Sequence, residues 1–510
     1  MHKSSLQAAF KPHAPRLARL TGYVVTALAL LGGCSFIPTY ERPAAPVAPL
    51  YPVADGTATT ALAPASLPWQ QFFTDPRLQK LIALAIDNNR DLRVAVLNIE
   101  QARAQYGITR ANQFPSVNGV VSGSRSPSQS QSGANGGTGG SGITSLYTVG
   151  LQVTAYELDF FGRVASLKEQ ALAQYLATEE GRKTTQISLI AQVANTYLAT
   201  LADEELLDIT RRTLATREES LKLSKLRFDS GVASELDYRL VESLLEAARF
   251  AYAQQQRQRA LDDNALTLLV GQPLSTLGVD ILPPSTAALP ISGVAANAVS
   301  LAQAQPMVDV PAGLPSELLV SRPDIRQAEQ LLLASNANIG AARAAFFPKI
   351  SLTLQAGTAS NQLSRLFDSG TVAWSFAPQL LAPIFDAGRN RAGLDSAKAQ
   401  QGLAIAQYEK AIQVAFREVA DALATRATLG DQLRASQAQV NAETVRLRLA
   451  GLRYDNGVAS YLDALDAQRS LFTVQQALVQ TRLAQLQSQV TLYKVLGGGW
   501  TDAAPAEATR

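Results

Sequence analysis

The chain has very few of the side chains that carry most enzyme chemistry. Its 510 residues include one cysteine, Cys34, and two histidines, His2 and His13. The rest of the chain therefore offers no thiolate nucleophile, no imidazole base and no Cys or His metal ligand. Catalysis by carboxylates alone is an open alternative, but no paired-carboxylate motif and no glycine-rich phosphate loop is found. The sequence predicts a protein that is not an enzyme and binds no metal or cofactor.

Charged residues are also scarce, at 17% of the chain, and the formal net charge is only +3. Four basic residues and no acidic ones lie in the first 33 positions, namely Lys3, Lys11, Arg16 and Arg19. Without that segment the net charge is 3 − 4 = −1. A near-neutral chain lacks the basic surface that nucleic-acid binding requires, so no nucleic-acid partner is expected.

The apolar run near the N-terminus is too short to cross a bilayer comfortably as a helix. This run, Leu20–Leu31, follows the basic residues and is typical of the core of a signal peptide. It leads into Leu31-Gly32-Gly33-Cys34, which resembles a bacterial lipobox. The resemblance implies a signal peptide at 1–33 and a lipid attached to Cys34. A stray buried cysteine is the alternative.

The residues after Cys34 indicate where the lipidated chain would be held. Ser35 follows the cysteine, and the absence of Asp there favours the outer membrane over retention at the inner membrane. Several acyl chains would anchor the chain stably. The segment 34–74 is rich in Pro and Ala and is expected to be an extended, lipid-anchored tether.

A long internal repeat dominates the rest of the chain. Arg227–Asp237 matches Arg453–Asp463 at eight of eleven positions, with a shift of 453 − 227 = 226 residues. Upstream, Asp91–Arg93 pairs with Asp324–Arg326 at a shift of 233. The difference of seven falls where a glycine-rich loop at 133–140 accommodates it. The sequence therefore predicts two tandem repeats. The expected divisions are 75–271 for the first repeat, 272–321 for the inter-repeat segment, 322–497 for the second repeat and 498–510 for the tail.

Four stretches alternate apolar and polar residues, as β-strands with two different faces do. In one of them, Ile350, Leu352 and Leu354 alternate with Ser351 and Thr353. Each stretch has about the length of a tilted membrane strand, although a soluble sandwich would show the same alternation. Four strands cannot close a membrane barrel and open edges are not viable in lipid, so several chains must contribute; three would supply twelve strands. The predicted strands span about 116–124, 146–156, 349–357 and 371–381.

Two stretches, 162–228 and 388–454, contain no proline and are predicted to be long helices. After the second one, ten positions spaced alternately by three and four form a heptad seam in which eight are apolar. Such helices pack side by side as coiled coils. The seam comprises Leu462, Leu465, Arg469, Phe472, Gln476, Val479, Leu483, Leu486, Val490 and Tyr493.

Short motifs then identify a family. They include Asp75-Pro76, Arg322–Glu329, Ala344–Pro348, Tyr454–Gly457 and Leu462–Ala467. These motifs resemble those of the TolC family of outer-membrane efflux channels, most closely the lipidated, NodT-like branch that serves multidrug (RND-type) pumps. The resemblance covers essentially all of the mature chain. It implies a mainly α fold with membrane β: a homotrimeric twelve-stranded β-barrel, four strands per chain, continuous with a long periplasmic α-helical barrel. It also implies a belt near the inter-repeat segment, of which 293–305 is longer than usual.

The resemblance also assigns roles to residues at two helix-breaking tips, near 229–234 and 455–460. Asp463 and Asp466 match aperture-lining residues of the family. The alternative is that they only interact favourably with a helix N-terminus. Asp237 and Tyr454 match a latch that holds the mouth closed. Arg453 is a candidate for the latch arginine, whose usual position is Ala459. The tip residues expected to contact a periplasmic adaptor are Gly231, Val232, Ala233, Ser234, Gly457, Val458, Ala459 and Ser460.

The implied function is passive transport. The expected protein is the outer-membrane channel of a tripartite pump, which receives drugs or other small molecules from an adaptor and an inner-membrane RND-type transporter. It would be lipid-anchored, would span the bacterial outer membrane and would extend into the periplasm. Two alternatives stay open at this point, namely a protein-secretion duct and a structural coiled-coil lipoprotein of the envelope.

Overall fold

The computed structural model describes residues 35–49, 51, 67–128, 142–274, 301, 307 and 321–500. The predicted signal peptide, Cys34 and nearly all of the stretch 293–305 lie outside these ranges. Within them, the chain divides into two compact units. Of the described residues, the first comprises 35–42, 101–128, 142–175 and 330–406, and the second comprises 43–49, 51, 67–100, 176–274, 301, 307, 321–329 and 407–500. Each unit draws on both sequence repeats, so the repeats are not separate folding bodies.

The first unit contains one antiparallel sheet of four strands in the order β1-β2-β3-β4. Each repeat contributes one hairpin, and the two hairpins join through the pairing of β2 with β3. The strands begin and end within four residues of the predicted bounds. The exposed apolar side chains Trp374 and Phe376 alternate with smaller residues along β4. The strands are β1 (Val117–Ser128), β2 (Gly142–Leu158), β3 (Lys349–Ser360) and β4 (Val372–Leu381).

The N-terminal segment packs within this first unit. The ring of Phe36 stacks on Phe347 at 4.7 Å, and Phe347 stacks on Phe161 at 4.9 Å. Arg343 donates a hydrogen bond to the carbonyl of Phe36 (3.1 Å), and Asn336 donates one to the carbonyl of Pro38 (2.8 Å). The residues just after Cys34 are therefore fixed by three stacked rings and two hydrogen bonds.

Eight α-helices are found among the described residues, and two of them are very long. The predicted stretches 162–228 and 388–454 each form one continuous helix of 67 residues, displaced by a single residue from expectation. None of the described helices is long and apolar enough to cross a membrane. The helices are α1 (Trp69–Phe72), α2 (Pro76–Asn88), α3 (Arg90–Ala111), α4 (Arg163–Asp229), α5 (Glu235–Val270), α6 (Pro323–Ala344), α7 (Arg389–Asp455) and α8 (Tyr461–Val495).

The second unit has an aromatic core. Phe72 stacks on Tyr493 with ring centroids 3.9 Å apart, and Phe73 meets the same ring edge-on. The hydroxyl of Tyr197 donates to the carboxylate of Asp75 (2.8 Å), whose other oxygen caps the start of α2. Aromatic stacking adds to the burial of large apolar area, so this cluster holds the N-terminal helices against α4 and α8.

The heptad seam predicted on α8 is only partly correct. Leu465, Val479, Val490 and Tyr493 are buried as expected, but Leu462 and Arg469 are exposed. A second stripe, absent from the prediction, is buried as well: Ala464, Ala467, Val474 and Leu478. The helix has two buried stripes because it packs against two neighbours, α4 through the ion pair of Arg482 with Glu205 and α7 through that of Arg446 with Asp466.

Candidate functional site

The two tips have the same backbone geometry, which the repeat predicted. At the first tip, Gly231 has φ +70° and its N–H donates to the carbonyl of Phe228 (2.9 Å), while the N–H of Val232 donates to that of Arg227 (2.9 Å). This pair of bonds is a Schellman motif, which satisfies the last carbonyls of a helix. Only glycine adopts such a left-handed conformation without strain.

The second tip repeats this motif almost atom for atom. Gly457 has φ +71° and donates to the carbonyl of Tyr454 (2.9 Å), and Val458 donates to that of Arg453 (2.9 Å). The side chains that follow project outward. Val232 is 79% exposed and Val458 is 69% exposed, so each tip presents an apolar side chain to its surroundings.

The tips differ in how the next helix begins. The hydroxyl of Ser234 accepts a hydrogen bond from the N–H of Asp237 (3.1 Å) and donates to its carboxylate (2.7 Å). The equivalent Ser460 makes no side-chain cap, and the N–H of Asp463 bonds instead to its carbonyl (3.3 Å). Asp463 is exposed, and no residue in the described chain pairs with its carboxylate. Asp237 and Asp463 occupy equivalent positions in the two repeats, but only the carboxylate of Asp463 lacks a side-chain partner among the described residues.

The two predicted aperture residues also differ from each other. Asp466 pairs with Arg446 of α7 (2.7 Å) and with Arg469 of α8. The hydrogen bond from Arg446, supported by the charge of Arg469, holds the pKa of the Asp466 carboxyl below its usual range. Asp463 has neither partner. Of the two predicted aperture residues, only Asp463 therefore has a carboxylate without an ionic partner among the described residues.

The latch residues are not bonded to one another within the chain. Asp237 is engaged by Ser234, and the side chain of Arg453 is exposed. The Tyr454 ring lies between the guanidinium of Arg227 (5.3 Å) and Tyr461 (4.9 Å). Its hydroxyl is buried and has no hydrogen-bond partner in the part of the chain that the structure describes.

Sequence reasoning missed two arginines at the second tip. Arg227 is the repeat equivalent of Arg453, so the repeat alignment carried a signal for its place near Tyr454. Arg446 precedes the turn by about as many residues as Asp466 follows it, and in an antiparallel helical hairpin such positions face each other. That symmetry would have predicted the ion pair.

The pattern of the family described as "Outer membrane efflux protein" matches residues 81–272 and 314–498. These two matches overlap the predicted repeats, 75–271 and 322–497, but do not share their bounds. The chain belongs to the outer membrane efflux protein family. The predicted fold class, a trimeric twelve-stranded barrel with four strands per chain and a continuous helical barrel, is confirmed by this membership and by the four-stranded sheet.

Curated relatives in this family match almost end to end. The toluene efflux pump outer membrane protein TtgC of Pseudomonas putida is 49% identical over 484 residues, which cover 94% of this chain and 96% of the relative. The outer membrane protein OprJ of Pseudomonas aeruginosa is 44% identical over 474 residues, covering 92% and 94%.

Solved structures of family members share the fold. The open state of the MtrE channel of Neisseria gonorrhoeae superposes with a TM-score of 0.79 at 41% identity, covering 92% of this chain and 99% of that one. CusC gives a TM-score of 0.77 at 38% identity, covering 91% and 100%. This efflux protein is therefore the outer-membrane channel of an efflux pump and works with other pump components, as predicted.

Proposed function

We propose that the protein is a passive, non-catalytic duct for small molecules, which reach it from a periplasmic adaptor and an RND-type transporter of the inner membrane. Aromatic solvents and antibiotics are the proposed cargo, since curated relatives are named as toluene and antibiotic efflux pump proteins. The observation that carries the proposal furthest is the exposed, unpaired carboxylate of Asp463 at the second tip. Protein secretion through the same duct is disfavoured because curated relatives are named as efflux pump proteins.

The proposed aperture is a ring of aspartates. Three chains would bring three Asp463 and three Asp466 side chains around one opening. Because Asp466 is neutralised by Arg446 and Arg469, we assign the net negative charge of the ring to Asp463. A ring of carboxylates favours cations and repels anions.

Ion selectivity in planar bilayers tests this aperture. The Asp463→Asn variant is expected to lower the cation-to-anion permeability ratio roughly twofold or more, because the ring loses its unpaired charges. The matched control is Asp431→Asn, an exposed carboxylate on α7 that pairs with Arg434; it should conduct like the wild type. An Asp463→Asn trimer that keeps the wild-type ratio would contradict the aperture role. Absence of conductance from correctly folded wild-type trimers would contradict the duct itself.

The closed-state latch is proposed to form between protomers. The proposed members are Tyr454, Asp237 and Arg453; the buried Tyr454 hydroxyl has no hydrogen-bond partner among the described residues, so it is free to gain an acceptor when protomers meet and the tip rearranges. Replacing Tyr454 by Phe removes only that hydroxyl and should raise the resting leak conductance severalfold, in keeping with about 1 kcal/mol for one hydrogen bond. An unchanged leak would remove Tyr454 from the latch.

The tips are proposed as the adaptor-contact surface. Gly231 and Gly457 reverse the chain, and the small residues that follow, Val232-Ala233-Ser234 and Val458-Ala459-Ser460, permit close approach of another helical hairpin. Both valines are largely exposed, which supports a partner at this place. A photocrosslinker at Val458 should capture the adaptor in cells, whereas one at Arg434 on the same hairpin should not. Equal capture at both positions would argue against the tip.

We also propose the signal-peptide cleavage, the lipid attachment and the domain divisions that the sequence predicts. The signal peptide, 1–33, would be removed, Cys34 acylated, and the following segment bound to outer-membrane lipid through it. The stacked ring of Phe36 supports this, since it holds the chain two residues beyond the proposed anchor. Intact mass spectrometry should show a chain that starts at Cys34 and carries acyl chains; an unmodified cysteine would reject the anchor.

A further inference from the structure

One arginine of the second unit is buried without a counter-ion. Arg217, on α4, is only 5% exposed, and it makes two contacts. Its Nη1 donates to the carbonyl of Leu244 (2.6 Å), and its guanidinium lies 5.4 Å from the centroid of the Phe472 ring. Neither group carries a charge, and no carboxylate pairs with Arg217 anywhere in the described ranges. A buried charge is normally paired, because removing it from water is costly.

Two carboxylates of the same helix already have other partners. Asp208 is bound by Arg211 (2.9 Å) and Arg212 (2.7 Å), and Glu218 faces Arg249 (3.5 Å). Burial lowers the pKa of Arg217, and no charged neighbour offsets that effect. The positive charge of Arg217 is therefore left for an anion from outside the chain.

A cavity of about 180 Å³ brings that charge within reach of a small molecule. Arg217 lines it from α4 together with Arg212, whose charge is paired with Asp208. The apolar side chains of Leu447, Leu471 and Phe472 line it from α7 and α8. The amide of Gln475 adds a hydrogen-bonding group. An engineered apolar cavity of about 150 Å³ is known to hold benzene, so this volume suits one six-membered ring with a small head group.

We propose that this cavity binds a small organic carboxylate, with the carboxylate on the guanidinium of Arg217 and the apolar body against Leu471 and Phe472. The planar fork of an arginine matches two carboxylate oxygens, and one uncompensated charge suits a monoanion. The three helices that line the cavity include both members of the α7/α8 hairpin, whose tip carries Asp463. A ligand in the cavity would therefore change how that hairpin packs against α4, whether or not Asp463 lines the aperture.

Calorimetric titration of sodium benzoate into the purified full-length trimer tests the site. In chloride buffer we expect saturable binding in the millimolar range or tighter. Benzyl alcohol has the ring without the charge, and acetate has the charge without the ring; each should bind at least about tenfold more weakly. The proposal would be overturned if benzoate did not bind. It would also be overturned if chloride displaced bound benzoate as fully as the same concentration of unlabelled benzoate does.

Two variants locate the binding. Arg217→Gln removes the charge, and Leu471→Trp fills the cavity while leaving the arginine in place; each should weaken benzoate binding at least about tenfold. The matched control is Arg249→Gln, an exposed arginine on α5, which should bind benzoate as the wild type does. If Arg217→Gln does not fold, Leu471→Trp alone decides. Wild-type affinity in a folded Leu471→Trp trimer would place the ligand elsewhere and refute this site.

Discussion

Replacing Arg322 by Ala is expected to lower the stability of the second unit by about 2–3 kcal/mol, because hydrogen bonds to charged groups contribute about 1.5–3 kcal/mol and the carboxylates left behind are partly solvated. Arg322 is 7% exposed and donates to three separate elements. It bonds both carboxylate oxygens of Asp324 (3.0 and 2.6 Å), Glu418 on α7 (2.9 Å) and the carbonyl of Val495 at the end of α8 (2.6 Å). Without it, two carboxylates and a carbonyl lose their shared donor.

Thermal unfolding of the purified trimer, followed by the helical circular-dichroism signal, measures this effect. The Arg322→Ala trimer should unfold several degrees below the wild type. The control is Arg249→Ala, because Arg249 also contacts two carboxylates, Glu246 and Glu218, but is half exposed. Exposed pairs contribute at most about 1 kcal/mol, so its midpoint should scarcely move. Equal shifts in the two variants would show that Arg322 does not hold the helices together.

The motif around Arg322 illustrates what the sequence could and could not predict. Pro323 and Asp324 mark a helix start, and α6 begins at Pro323 as the motif indicates. Its partners on α7 and α8, however, lie 96 and 173 residues away in the chain. Local pattern specifies where a helix begins, but the contact between distant helices depends on their relative register, which no single segment encodes.

The long helices were predictable because the relevant signal is local and continuous. Proline is absent from each 67-residue stretch. Because α4 and α7 are equivalent in the two repeats, a continuous helix predicted for one is also predicted for the other. The strands were predictable for the same reason, since alternation along each of them is uninterrupted. The heptad seam of α8 failed in part because a period of 3.5 assumes one neighbour, whereas this helix is buried against both α4 and α7.

The sequence predicted the backbone turns of the candidate site but not the ionic partners of its carboxylates. The two Schellman turns follow from glycine at equivalent positions, so Gly231 and Gly457 could be placed from sequence alone. The unequal states of Asp463 and Asp466 could not, because they depend on an arginine of α7 that meets α8 across the turn. The sequence pattern treats both carboxylates alike, while the structure leaves only one of them unpaired.

Acidic pH is expected to stabilise the second unit through one buried carboxyl. Asp203, on α4, is 5% exposed, and one of its oxygens has no hydrogen-bond donor in the described chain. Burial, and then the neighbouring carboxylate of Asp262, raise the pKa of Asp203 to about 8. The adjacent cation, Arg259, is already shared between Glu204 (2.8 Å) and Asp263. Its charge lowers the pKa of Asp203 less than these two effects raise it.

The direction of the pH dependence follows from which state holds the proton. Between the unfolded pKa of an aspartate, near ~4, and the folded value, the folded chain keeps a proton on Asp203 that the unfolded chain releases. Stability from this group is therefore complete below the unfolded pKa and is lost as the pH rises through the folded one. One such proton gives a slope of at most ~1.4 kcal/mol per pH unit.

Asp203→Asn should remove that slope, because the amide fills the same space and never ionises. We expect the variant to melt well above the wild type at pH 8 and close to it at pH 5, as read from the helical signal of the purified trimer. Asp431→Asn, an exposed carboxylate paired with Arg434, should follow the wild type at both pH values. If the Asp203→Asn and wild-type midpoints differ by the same amount at pH 5 and pH 8, Asp203 is not protonated in the folded chain, and the unpaired oxygen is simply a tolerated cost of packing α4 against α5.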